Sequence, residues 1–308
     1  MACVICGKNL AKSYGDFKAL KGISFAIEER QCFGFLGHNG AGKTTTMRMM
    51  YGLSTVDEGE LWLLGERIRL TPPSVKRLLG VVPQEDNLDP ELSVIENLEV
   101  YGGYFGLSLK EARRRGVELL EFMGLTDKQN ENVENLSGGS KRRLIIARAL
   151  INQPKIVILD EPTTGLDPQA RRLVWQKLRC LKEEGVTLVL TTHYMEEATQ
   201  LCDYLVIMNE GEILAEGSPD KLVKEYVLPY VIEVRLAQDK LPADLETKVA
   251  ALGGEVSHMA EGLFLFTPDG EALWQQLEKL GVPQYACYLR TAHLEDVFLK
   301  LTGRRAAE

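Results

Sequence analysis

The sequence predicts an α/β domain built on a parallel sheet, followed by a small α+β domain. Three observations predict it. Residues 31–37 (QCFGFLG) read as an apolar strand that runs into the glycine-rich GHNGAGKT and then a helix. Residues 156–161 (IVILDE) read as a second apolar strand that ends in two acids. Strand-like and helix-like runs alternate around them, which indicates parallel pairing with both sheet faces covered.

The elements follow in order. After the strand at 31–37, residues 44–51 read as a helix, with Gly52 placed to end it. Short strands are expected at 60–64 and 79–82. From 86 to about 135 the pattern turns helical. Ser93 with Glu96, and Ser108 with Glu111, fit the S-x-x-E capping box that satisfies orphan amides at a helix start. This stretch is expected to be an inserted helical subdomain.

Alternation then returns: helix 141–152, buried strand 155–160, helix 169–184, strand 186–191, helix 195–202 and strand 204–208. Ser218 and Pro219 open a helix as N-cap and first-turn proline. The pattern breaks near Leu228 and Pro229. Beyond it lie strand 230–236, helix 241–252, strands 255–260 and 263–267, helix 271–280, strand 284–290 and helix 294–302. The first six of these spell β-α-β-β-α-β, a ferredoxin-like order. The expected division is therefore 1–228 and 229–308.

Composition narrows the function. The chain has 308 residues, 45% hydrophobic and 26% charged, which is ordinary for globular domains. A net charge of -8 and a pI near 5.3 argue against nucleic-acid binding, which calls for a basic patch. No apolar run approaches the ~20 residues that span a bilayer. The start, MACVICGKNL, lacks the charged head and long apolar core of a secretory leader. The expectation is a cytoplasmic protein whose membrane role, if any, comes through a partner. There are six cysteines. Cys3 and Cys6 form a C-x-x-C, but three residues apart on a regular strand they point to opposite faces. They are expected to be small hydrophobic residues in a reducing compartment, neither a zinc site nor a redox pair.

GHNGAGKT is G-x-x-x-x-G-K-[ST] in the strand–loop–helix setting that gives the pattern meaning. Backbone amides of Gly37, His38, Asn39, Gly40, Ala41, Gly42 and Thr45 can approach phosphates closely. Lys43 supplies a charge to the β- and γ-phosphates, and the Thr44 hydroxyl can ligate Mg²⁺. The helix N-terminus adds its dipole. The bound nucleotide is expected to be ATP. Asp160 and Glu161 arrive at the carboxyl edge of a strand, where such sheets bind ligands. Asp160 is expected to hold Mg²⁺, and Glu161 to orient and deprotonate the attacking water. LSGGSK, with Ser137, Gly138 and Gly139, opens a basic helix and can bind an anion through its amides and the Ser137 hydroxyl. His193 ends the strand VTLVLTT on the same sheet edge, in reach of the γ-phosphate or the water. Tyr14 is a candidate to stack on adenine.

Together these segments resemble the nucleotide-binding domain of ABC transporters over roughly residues 4–225. The matching motifs are GHNGAGKTT, VVPQ with Gln84, LSGGS, IVILDE, TTGLDP with Asp167, and His193. The resemblance implies a P-loop NTPase fold and a head-to-tail homodimer that sandwiches two ATP molecules. In it, Ser137 and Gly139 of one copy meet the γ-phosphate held by Lys43 of the other. Gln84 touches Mg²⁺ and reports to the helical subdomain, which meets an integral membrane permease. The implied location is the cytoplasmic face of the membrane. One departure stands out: the signature usually continues with Gln, and here position 140 is Ser.

Longer runs, VVPQEDNLDPELSVIENLEVYGGYFG, LSGGSKRRLIIARALIN and LDEPTTGLDPQARRLVW, are similar to the ATPases of nodulation-type lipo-oligosaccharide exporters in the ABC-2 group. LEDVFLKLTGR near the end is similar to endings in that group. This implies export, with a cargo of lipo-oligosaccharide, polysaccharide or drug type chosen by the membrane subunit. A different class, a soluble ABC ATPase acting on ribosomes or DNA, fits less well. The chain has one cassette, a short helical insert and an acidic balance. The second domain carries no ligand constellation and is expected to stabilise the dimer; a regulatory sensor is the other reading.

Overall fold

The computed structural model describes residues 3–69, 71–236, 241–259 and 262–303. It divides into two compact units, Met1–Gly217 and Ser218–Glu308.

The first unit opens with two long strands, β1 (Cys3–Tyr14) and β2 (Phe17–Glu28), paired antiparallel. Then come β3 (Cys32–Leu36), α1 (Lys43–Met50), β4 (Glu58–Leu63), β5 (Glu66–Ile68), α2 (Pro73–Lys76) and β6 (Leu79–Val82). The helical insert holds α3 (Val94–Tyr104) and α4 (Leu109–Met123), and α5 (Gly138–Ala149) follows. The unit closes with β7 (Ile156–Asp160), α6 (Pro168–Glu183), β8 (Thr187–Thr192), α7 (Met195–Leu201), β9 (Tyr204–Asn209) and β10 (Glu212–Gly217).

Two sheets result. The central one has the order β10-β9-β3-β8-β7-β6, parallel throughout except for β10, which pairs antiparallel with β9. The other is antiparallel, in the order β2-β1-β4-β5. All five residues of β3 and of β7 are buried, as continuous apolar strands require. The antiparallel sheet covers one face of the central one. Phe25 of β2 sets its ring edge-on against Phe35 of β3 at 5.1 Å, and Met47, Met49 and Met50 of α1 fill the same core.

Two expectations change here. Residues 3–28, which precede the elements expected from the sequence, form β1 and β2, with Ile23, Phe25 and Ile27 alternating inward. Cys3 and Cys6 are joined as a disulfide rather than facing apart. The reason is a register skip against β2 between Cys3 and Ile5. One extra residue reverses the facing of everything beyond it.

In the insert, Ser93 and Glu96 make the full reciprocal cap of α3. Ser108 caps α4 from one side only, because the Glu111 carboxylate is taken by Arg114 and Arg115 at 2.8 and 2.7 Å.

The second unit contains α8 (Pro219–Tyr226), β11 (Tyr230–Val234), α9 (Leu245–Ala251), β12 (Glu255–Met259), β13 (Gly262–Thr267), α10 (Gly270–Lys279), β14 (Cys287–Thr291) and α11 (Leu294–Gly303). Its sheet runs β12-β13-β11-β14, all antiparallel, which is the ferredoxin-like arrangement the element order predicts. Residues 284–286 form a short helical turn, so the last strand starts at Cys287. Ala260 of the expected strand and Arg304 of LEDVFLKLTGR lie outside the described residues. Ile232, Leu245, Val249, Leu265, Leu273 and Leu277 make a core of their own.

Candidate functional site

Parallel strands deliver their carboxyl ends to one edge of the central sheet, where the following loops gather. Three such ends matter: Leu36 of β3, Asp160 of β7 and Thr192 of β8.

The loop after β3 depends on backbone freedom. Gly42 has φ of 101°, and a Cβ there would lie 2.6 Å from Leu20. A Cβ on Gly37 would lie 2.5 Å from the Met208 carbonyl. Gly42 leaves the start of α1 without a side-chain cap, so its first amides are free to meet an anion. Lys43 is buried and donates to the carbonyls of Gly37 at 2.7 Å and His38 at 3.0 Å. Burial holds its pKa below the usual lysine value, partly offset by the charges of Glu161 and Asp160.

The acids come next. Asp160 accepts from the Thr44 hydroxyl at 3.2 Å and from the Thr191 hydroxyl. Glu161 is buried and sits at φ of 47°, a left-handed conformation that non-glycine residues adopt only when held. It is held at both ends. Its amide donates to the Thr191 hydroxyl at 2.9 Å, and its carbonyl accepts from Arg142 at 3.0 Å. Its carboxylate accepts from Gln84 at 3.3 Å and from Thr164 at 3.0 Å. Lys43 Nζ lies 4.0 Å away and His193 Nδ1 3.2 Å away.

A cavity of about 340 Å³ opens over these groups, lined by Phe17, Ala19, Asn39, Gly40, Gly42, Lys43, Thr44, Thr45, Gln84 and Glu161. Phe17 is its aromatic wall, 63% exposed. Tyr14 is not among the lining residues; its hydroxyl sits 3.5 Å from that of Ser54. Ser137, Gly138, Gly139 and Asp167 do not line the cavity either. Ser137 caps α5, and its hydroxyl bonds the Ser140 hydroxyl at 3.1 Å, so the unusual position 140 touches the signature serine. Asp167 caps α6, accepting from the amides of Gln169 and Ala170.

Oxygen groups available to a hard cation are the Thr44 hydroxyl and the Asp160 carboxylate, 3.2 Å apart, with Gln84 lining the same cavity. That set, with one carboxylate, suits Mg²⁺ shared with substrate phosphates. Among the described residues there is no cluster of three or more His, Cys, Asp and Glu side chains placed to hold a metal.

Sequence reasoning missed four neighbours: Phe17, Thr164, Thr191 and Arg142. Thr191 left a trace as a polar residue at the end of an apolar strand. Arg142 left none, since nothing in KRR tells it from Arg143.

Comparison with known proteins agrees with this geometry. Residues 20–164 match the ABC transporter family model, and residues 242–303 match the C-terminal domain of the nodulation factor export protein NodI. The Nod factor export ATP-binding protein I of Ralstonia nicotianae is 46% identical over 305 residues, 98% of this chain and 94% of that protein. Its namesake in Cupriavidus metallidurans is 45% identical over 304 residues, 99% of each. An ATP-binding cassette solved as a dimer after hydrolysis, bound to ADP and Pi, superposes with a TM-score of 0.64 at 30% identity, covering 70% of this chain and 98% of that one. The chain belongs to the ABC transporter family, as an ATP-binding, ATP-hydrolysing subunit of an exporter.

Proposed function

We propose that this subunit closes as a head-to-tail homodimer around two MgATP molecules and thereby drives an ABC-2 permease. The observation that supports this is the meeting of Lys43, Gln84, Asp160, Glu161 and His193 at one sheet edge. Phosphates rest on the amides of residues 37–45, with Lys43 on the β- and γ-phosphates. Thr44, Asp160 and Gln84 would hold Mg²⁺, which would offset charge building on the phosphates. Glu161 takes the proton of the attacking water, with His193 beside it to bond the γ-phosphate. Ser137, Gly138 and Gly139 lie outside the cavity of their own copy, which fits service in the partner's site. Asp167 accompanies them across the interface. Tyr14 is the candidate to stack on the adenine, with Phe17 as the aromatic side chain that lines the cavity.

Work arises because MgATP binds the closed state better than the open one. Residues 1–228 act as the motor and 229–308 as an accessory that strengthens the dimer. No helix among the described residues is long and apolar enough to cross a membrane. Like the exporter ATPases it resembles, the subunit works at the cytoplasmic face, on a separate permease. The relatives are named for Nod factor export, which favours a lipo-oligosaccharide cargo. Nucleic acid is not a partner.

The test is to purify Glu161→Gln with MgATP from solubilised membranes and identify what accompanies it. A polytopic membrane protein is expected. Ribosomal or DNA-bound proteins in its place would overturn the transport reading and leave the ATPase standing.

A further inference from the structure

Arg142 lies in the first turns of α5, six residues after the Leu136 that begins the signature. Its side chain turns inward and is buried. All of its hydrogen bonds go to main-chain carbonyls: Pro162 at 2.7 Å, Pro83 at 2.5 Å, Asp160 at 2.9 Å and Glu161 at 3.0 Å. These four carbonyls belong to two segments. Pro83 immediately precedes Gln84, and Asp160, Glu161 and Pro162 form the turn that carries the two acids. One guanidinium therefore ties the signature helix to both.

The fork geometry makes this specific. Arginine presents five donors in a rigid plane, where lysine offers one compact charge. Glu161 needs such a hold because its left-handed backbone would otherwise relax. Thr191 secures the amide side of that turn and Arg142 the carbonyl side. A relaxed turn would swing the carboxylate away from the cavity, and a displacement of 1 Å at a reacting group can cost about a hundredfold in rate.

We infer that Arg142 is a positioning residue for hydrolysis: it locks Glu161 and Gln84 in register with the signature helix of the same copy. It touches no substrate. Its position lets a movement of α5 reach Glu161 and Gln84 together. The inference rests on the role proposed for Glu161.

A double-mutant cycle tests it. Single-turnover ATP hydrolysis and ATP affinity are measured on the full-length chain for wild type, Arg142→Met, Glu161→Gln and the double variant. Arg142→Met is expected to slow hydrolysis about tenfold to a hundredfold, with ATP affinity changed less than about threefold. On the Glu161→Gln background the further loss should be much smaller, limited to what the hold on Gln84 contributes, because the carboxylate it positions is already gone. Arg142→Lys, which keeps the charge and loses the fork, should show the same loss in milder form and serves if Arg142→Met does not fold. Unchanged turnover per folded site, or losses that multiply in the double variant, would overturn the inference. Wild-type turnover in Glu161→Gln would instead sink the role of Glu161 itself, and this inference with it.

Discussion

Arg142, buried, and Arg290, half-buried, lie one in each unit, and they are held in opposite ways. Arg142 bonds only backbone carbonyls, and burial pushes its pKa down to about 10 despite nearby Glu197 and Asp160. Arg290 is also lowered by burial, but hydrogen bonds to Asp296 and Glu233 outweigh this and raise it. Its guanidinium meets both Asp296 oxygens, at 2.7 and 2.8 Å, and Glu233 at 2.7 Å. Asp296 in turn accepts from the His293 amide at the start of α11. The second unit uses its arginine to join two carboxylates in a network that pins its last helix. The first unit leaves its arginine without a carboxylate and uses it to aim main chain. Stability and aim are separate demands, and the two units divide them.

The same contrast appears in the acids. Asp296 is buried with every oxygen engaged. Glu197, equally buried, accepts from Thr163 at 2.6 Å and Trp175 at 3.1 Å on one oxygen, while its other oxygen has no hydrogen-bond partner among the described residues. Burial raises its pKa.

The comparison can be broken from either side. The larger effect is expected from Asp296→Ala, which leaves Arg290 with Glu233 alone and the His293 amide without its acceptor, and should destabilise the second unit by about 3 kcal/mol. Denaturant unfolding should show that loss while ATP affinity stays at the wild-type value. A fall in affinity would mean that the two units are not separable in this way.

A smaller effect is expected from Glu197→Gln. Between the ordinary value of 4.5 and its raised native pKa, Glu197 holds a proton in the fold that the unfolded chain has released. Its contribution to stability is therefore complete below 4.5 and is lost as pH rises through the native pKa. Thermal melts of Glu197→Gln should lack that decline, so the variant gains on wild type as pH rises. Parallel melting curves across pH would show that the carboxyl does not titrate as its burial demands.

Much of this was legible in the residues. Apolar runs such as IVILD announce themselves because a strand buried on both faces cannot carry charge. The phosphate loop is legible because few residues tolerate its backbone. The β-α-β-β-α-β order was enough for the second unit. What escaped depends on three-dimensional register. The β1 bulge that brings Cys3 to Cys6 adds one residue at a place that no pattern marks. Phe17 sits at the tip of a charged hairpin and reads as surface. Arg142 and Arg143 have the same chemistry, and only the rotation from one residue to the next along α5 sends the first inward to the acids and the second to the carbonyls of Met123 and Gly124.

The central claim is that Glu161 acts within a nucleotide sandwich formed by two copies. The direct measurement is the solution mass of Glu161→Gln, by light scattering, with and without MgATP. A stable dimer that appears only with MgATP is the expected result. A variant that binds ATP and stays monomeric would contradict it.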